Sequence, residues 1–112
     1  MAKTIPFFIN GHEVAGKGRT AAVFNPATGE QTGSVPLAST AEVNEAIAVA
    51  KKAFPGWAAT PPLRRARILN KFLRILEERT DELAAVITAE HGKVLSDAKG
   101  EIQRGAEVVE FA

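Results

Sequence analysis

The sequence predicts an α+β segment, two short β-hairpins followed by about four α-helices. Three observations carry that expectation. Up to about residue 38, short runs of β-branched and aromatic residues flank Asn-Gly and Pro-Ala-Thr-Gly, which are turn sequences. From Ser39 the apolar residues recur every three or four positions, so the hydrophobic period changes from that of a strand to that of a helix. Leu, Ile, Val and Phe together account for 29 of 112 residues, which is too many for global disorder. The expected organisation is a hairpin segment at 1–38 and a helical part at 39–112.

Phe7-Phe8-Ile9 and Glu13-Val14 flank Asn10-Gly11, the pattern of a type I′ hairpin. Ala21–Asn25 and Gln31–Val35 flank Pro26-Ala27-Thr28-Gly29 and form the second hairpin, with Gly16-Lys17-Gly18 as the loop between the two. Ser39 and Glu42 have the capping-box spacing. Val43, Ala46, Ile47, Ala50, Ala53, Phe54 and Trp57 then fall within roughly 120° of a helical wheel. Pro55-Gly56 is expected to stop this first helix. Thr60 and Pro61 are the expected N-cap and first residue of a second helix, whose apolar arc of roughly 180° implies cover on more than one side. Thr80 is the expected cap of a third helix and Gly92 its C-terminal residue. Ser96-Asp97 is expected to open a fourth. That helix has no stop signal before Glu110-Phe111-Ala112, which predicts the N-terminal piece of a longer protein, cut inside a helix.

Composition narrows the functions. Alanine supplies 20 residues, so a core built by this chain alone would be thin. A net charge of +1 gives no global pointer to nucleic acid or membrane. There is no cysteine, so the chain holds no disulfide, thiolate metal site or thiol nucleophile. No apolar run reaches the roughly 20 residues of a membrane span, and no signal peptide opens the chain, so the expected location is the cytoplasm. His12 and His91 lack metal-ligand spacing to any partner, so no metal is expected. No phosphate-binding glycine motif or nucleophile elbow occurs, and no complete active site is expected.

Several residues have both a structural and a functional reading. Arg64, Arg67, Lys71 and Arg74 form a basic stripe on the second helix. They fit a solvated face; the alternative is a small helical interaction module that contacts nucleic acid. Residues 80–112 carry seven acidic and three basic side chains, which can neutralise that stripe. Arg65 falls inside the apolar arc and must pair or reach water. Glu90, on the face of Leu83, Val86 and Ile87, is either a helix-end acceptor or a general base. Arg104 shares the side of the fourth helix away from the main apolar arc with Gly100, Val108 and Phe111. It could hold a carboxylate in its guanidinium fork or simply pair with Glu101 or Glu107 at i−3 and i+3.

Phe8-Ile9-Asn10-Gly11, Asn25-Pro26-Ala27-Thr28-Gly29-Glu30, Pro62-Leu63-Arg64-Arg65-Ala66-Arg67-Ile68-Leu69 and Glu90-His91-Gly92-Lys93 resemble segments of the aldehyde dehydrogenase superfamily. The stretch from Gly100 to Ala112, Gly-Glu-Ile-Gln-Arg-Gly-Ala-Glu-Val-Val-Glu-Phe-Ala, resembles one branch, the CoA-acylating methylmalonate-semialdehyde (malonate-semialdehyde) dehydrogenases. The resemblance covers essentially the whole chain. It implies the N-terminal part of an α/β Rossmann-like fold, with the nucleophilic cysteine, the general-base glutamate and the NAD-contacting residues beyond Ala112. It implies oxidation of a semialdehyde through a thiohemiacetal and a thioester, with NAD as oxidant and coenzyme A as co-substrate. The products would be propanoyl-CoA or acetyl-CoA and CO2. The implied partners are a small semialdehyde and further copies of the full-length chain, a homo-oligomer that is a tetramer by family; neither nucleic acid nor membrane is expected. Within this chain the resemblance implies one site residue, Arg104, as the ligand of the substrate carboxylate.

Overall fold

A computed structural model describes residues 3–112. Five strands come first: β1 (Lys3–Thr4), β2 (Phe7–Ile9), β3 (His12–Val14), β4 (Thr20–Phe24) and β5 (Gln31–Pro36). Four helices follow: α1 (Thr40–Ala59), α2 (Pro62–Glu78), α3 (Thr80–His91) and α4 (Leu95–Phe111). The segment is thus α+β, as the change of period indicates. It divides into two compact units, one up to Ala59 and one from Thr60. No helix among the described residues is long and apolar enough to cross a membrane.

In the first unit, β2 and β3 pair antiparallel around Asn10-Gly11, with Phe7 opposite Val14 and Ile9 opposite His12. Asn10 and Gly11 have φ of 55° and 78°, the left-handed pair that a type I′ turn requires and that Asn-Gly adopts at little cost. β4 and β5 form the second antiparallel hairpin, and β1 adds to β5 in parallel, giving the sheet order β1-β5-β4. β1 is a strand of two residues with no signal in the sequence, ordered by its neighbour β5. At the β4–β5 turn the Asn25 amide nitrogen donates to the Glu30 carbonyl at 2.8 Å, and the Asn25 side chain accepts from the Ala27 amide at 2.8 Å. Thr32 is the extra residue of a bulge, since Val23 faces Gly33 and Phe24 faces Gln31.

α1 opens on the expected capping box. The Ser39 amide donates to the Glu42 carboxylate at 2.8 Å, and the Glu42 amide donates back to Ser39 Oγ at 3.3 Å. The helix does not stop at Pro55-Gly56; it runs to Ala59 with Pro55 inside it. A proline removes one donor and crowds one carbonyl, which bends a helix more often than it ends one when the turns on both sides are bonded.

In the second unit the helix starts shift from their expected positions. Pro61, not Thr60, caps α2, and Pro62 takes the first helical place. Thr60 still contributes, because its carbonyl accepts Arg65 Nε at 3.1 Å, which settles the arginine that fell in the apolar arc. Arg79, not Thr80, precedes α3; the Thr80 hydroxyl bonds back to the carbonyls of Leu76 and Glu77 at 3.0 Å and so closes α2. Val94, not Ser96, precedes α4. Gly92 ends α3 as expected, with φ of 85° and its amide on the Thr88 carbonyl at 2.8 Å. α4 packs against both α2 and α3. The contact is made close by small residues, and Ala84, Ala98 and Ala106 are the buried residues of the four helices. No large side chain among them is fully buried, so the core is indeed thin.

Candidate functional site

α4 carries the site. Its inner stripe includes Ala98 and Ala106, both buried, with Ile102 and Val109 half-buried beside them. The far side presents Gly100, Arg104, Val108 and Phe111, spaced at one-turn intervals, and Phe111 is 94% exposed. Side chains on a helix lean toward its N-terminus, so Arg104 lies back over Gly100. A β-carbon at residue 100 would sit 3.6 Å from Arg104 Nη1.

The two carboxylates that could have claimed Arg104 are engaged elsewhere or not within reach. Glu101 is held by Lys93, across the turn between α3 and α4. Glu107 accepts Gln103 Nε2 at 3.5 Å. Among the described residues no carboxylate lies within 4.0 Å of the Arg104 guanidinium. The hydrogen bond from Lys93 is the main reason the Glu101 carboxyl sits below the usual glutamate range; partial burial opposes it, and the charges of Lys93, Arg104 and His91 add smaller pulls downward. What the arrangement leaves is an exposed, fully charged guanidinium between a glycine notch and two apolar side chains. Such a group donates two parallel N–H bonds to a carboxylate and little to a neutral carbonyl.

Arg64, Arg67, Lys71 and Arg74 are all exposed along α2. Glu90 is exposed, so the buried carboxylate that a general base would need is not formed there. His12 and His91 are exposed, and no cluster of three potential metal ligands occurs among the described residues. The link from β5 to α1, Leu37-Ala38-Ser39, lacks glycine, and the Glu42 carboxylate already accepts the Ser39 and Lys17 amides at the helix start. An anion seated there repels a phosphate. The start of α1 therefore does not fit a nucleotide pyrophosphate. The Lys93–Glu101 pair had no signal in the sequence, because it spans a turn and so escapes the i+3 and i+4 spacing rules.

Residues 14–112 match the aldehyde dehydrogenase family. The chain belongs to that family. It is 48% identical over 109 residues to the malonate-semialdehyde dehydrogenase of Pseudomonas aeruginosa, covering 97% of this chain and 22% of that protein. It is 51% identical over 111 residues to malonate-semialdehyde dehydrogenase 3 of Geobacillus kaustophilus, covering 98% of this chain and 23% of that one. A protein of Sinorhizobium meliloti 1021 assigned as a methylmalonate-semialdehyde dehydrogenase, crystallised with NAD, superposes with a TM-score of 0.96 at 51% identity. That match covers 99% of this chain and 23% of the other. The fold is thus that of the N-terminal part of an aldehyde dehydrogenase, and the chain spans less than a quarter of the length of these relatives.

Proposed function

We propose that this chain is part of an NAD-dependent, CoA-acylating semialdehyde dehydrogenase. The whole enzyme oxidises methylmalonate or malonate semialdehyde to propanoyl-CoA or acetyl-CoA with release of CO2. The 112 residues alone are inactive. They contain no cysteine, so the thiol that attacks the aldehyde comes from elsewhere in the enzyme, as do the residues that hold NAD and coenzyme A. The enzyme is a cytoplasmic homo-oligomer. Arg104 binds the substrate carboxylate through its two terminal nitrogens, fixing both the position and the angle of the semialdehyde.

The observation that carries the substrate class is the Arg104 guanidinium itself, exposed on α4 and not taken by Glu101 or Glu107. The test is the ratio of kcat/KM for malonate semialdehyde to that for propanal in the full-length enzyme, before and after Arg104→Ala. Propanal has the aldehyde but no carboxylate. A fall in the ratio supports the reading. A ratio that does not change returns Arg104 to a structural role.

A further inference from the structure

Glu101 stands three residues before Arg104, the helical spacing at which opposite charges pair. Its carboxylate nevertheless bonds Lys93, eight residues back, in the turn between α3 and α4. The two side chains are only 20% and 41% exposed, against 59% and 60% for the surface pair Arg79–Glu82. A partly covered pair is less screened by water and salt, so Glu101 is held more firmly than an ordinary surface partner would hold it. We propose that Lys93 is a positioning residue, which keeps the Glu101 carboxylate off Arg104 and so leaves the guanidinium fork open to the carboxylate of the substrate. The proposal rests on Arg104 being the carboxylate ligand, and it adds a reason why an arginine with two acidic neighbours on its own helix remains available. Without Lys93, Glu101 becomes an internal competitor, a tethered carboxylate within reach of the same donors.

The experiment is Lys93→Met in the full-length enzyme, with malonate semialdehyde and propanal as paired substrates. A pair at i,i+3 on a helix surface is weak, so the freed Glu101 would occupy Arg104 part of the time and lower the competent fraction accordingly. The expected result is a rise in KM for malonate semialdehyde of roughly two- to fivefold, with kcat and the propanal constants unchanged. Lys93→Arg retains the pair and keeps the original KM. The double variant Lys93→Met/Glu101→Gln has no competing charge and returns KM to its original value. If Lys93→Met does not fold, Lys93→Gln is measured in the same way. Equal effects on both substrates, or a double variant that does not recover, overturn the positioning role and make the pair a pin for the turn. Arg104→Ala in the same assay separates the two ideas. An unchanged substrate ratio there overturns the carboxylate site and this proposal with it, whereas a changed ratio with no response to Lys93 overturns this proposal alone.

Discussion

Arg104 owes its availability to three neighbours, each of which acts differently. Gly100 offers no side chain beneath it, Lys93 engages Glu101, and Gln103 lies against Glu107. A charge-assisted hydrogen bond contributes about 1.5–3 kcal/mol, so Arg104→Ala is expected to lower kcat/KM for malonate semialdehyde by roughly 10- to 150-fold. Arg104→Lys keeps the charge but loses the planar fork, and its activity is expected to fall between the two. Steady-state kinetics on the three proteins check the order, and a lysine variant equal to alanine would mean that charge contributes nothing. The sequence presents Arg104 and both possible partners, and leaves the choice among them open. Spacing along one helix shows which side chains can meet; it does not show that a lysine beyond the turn reaches one of them first.

The start of α1 is fixed by local bonds. The α1 capping box satisfies amides that would otherwise be orphaned, and Ser39→Ala is expected to destabilise the fold by about 1 kcal/mol, read as a shift in the urea midpoint of the full-length enzyme. The backbone bond from Ser39 is the leading cause that holds the Glu42 carboxyl below its ordinary range, followed by the Ser39 hydroxyl and the Lys17 amide. A carboxylate with a lowered folded-state pKa stabilises the fold above its unfolded pKa, and that contribution is lost as the pH falls through the folded value. Glu42→Gln should therefore be less stable than the parent at neutral pH, with the gap closing in acid below the usual glutamate range. A gap independent of pH would remove the ionised carboxylate from the cap.

The small β1 strand depends on space rather than on caps. A β-carbon on Gly33 would lie 2.7 Å from the Lys3 carbonyl oxygen, closer than such atoms approach. Gly33→Ala is expected to push β1 off β5 at a cost of about 1–3 kcal/mol, visible as loss of hydrogen-exchange protection at Ile5, whose amide donates to the Ser34 carbonyl at 2.9 Å. Retained protection at Ile5 would mean that the sheet absorbs the methyl group.

The molecule as a whole has more apolar surface than it can cover. Phe8 is 75% exposed, Phe54 67% and Leu63 64%, while the four helices bury three alanines. Beside the first hairpin, Phe7, Phe8 and Ile9 with Val43, Ala46 and Ile47 of α1 line an open groove of about 290 Å³. Exposed surface of this kind favours association. The purified 112-residue chain is expected to self-associate or precipitate, and to reduce no NAD with malonate semialdehyde. A monomer in sedimentation with one sharp melting transition, or a rate proportional to chain concentration, would contradict this.

The sequence by itself determined what depends on neighbours within about four residues. The Asn10-Gly11 turn, the Ser39–Glu42 box, the Gly92 terminus and the helical periods of α2, α3 and α4 are of this kind, and the structure contains them all. Tertiary structure decided what depends on distant partners. β1 exists because β5 offers it an edge. Glu101 is bound to Lys93 because a turn folds the lysine onto α4, and a bond across a turn leaves no periodic trace in the sequence.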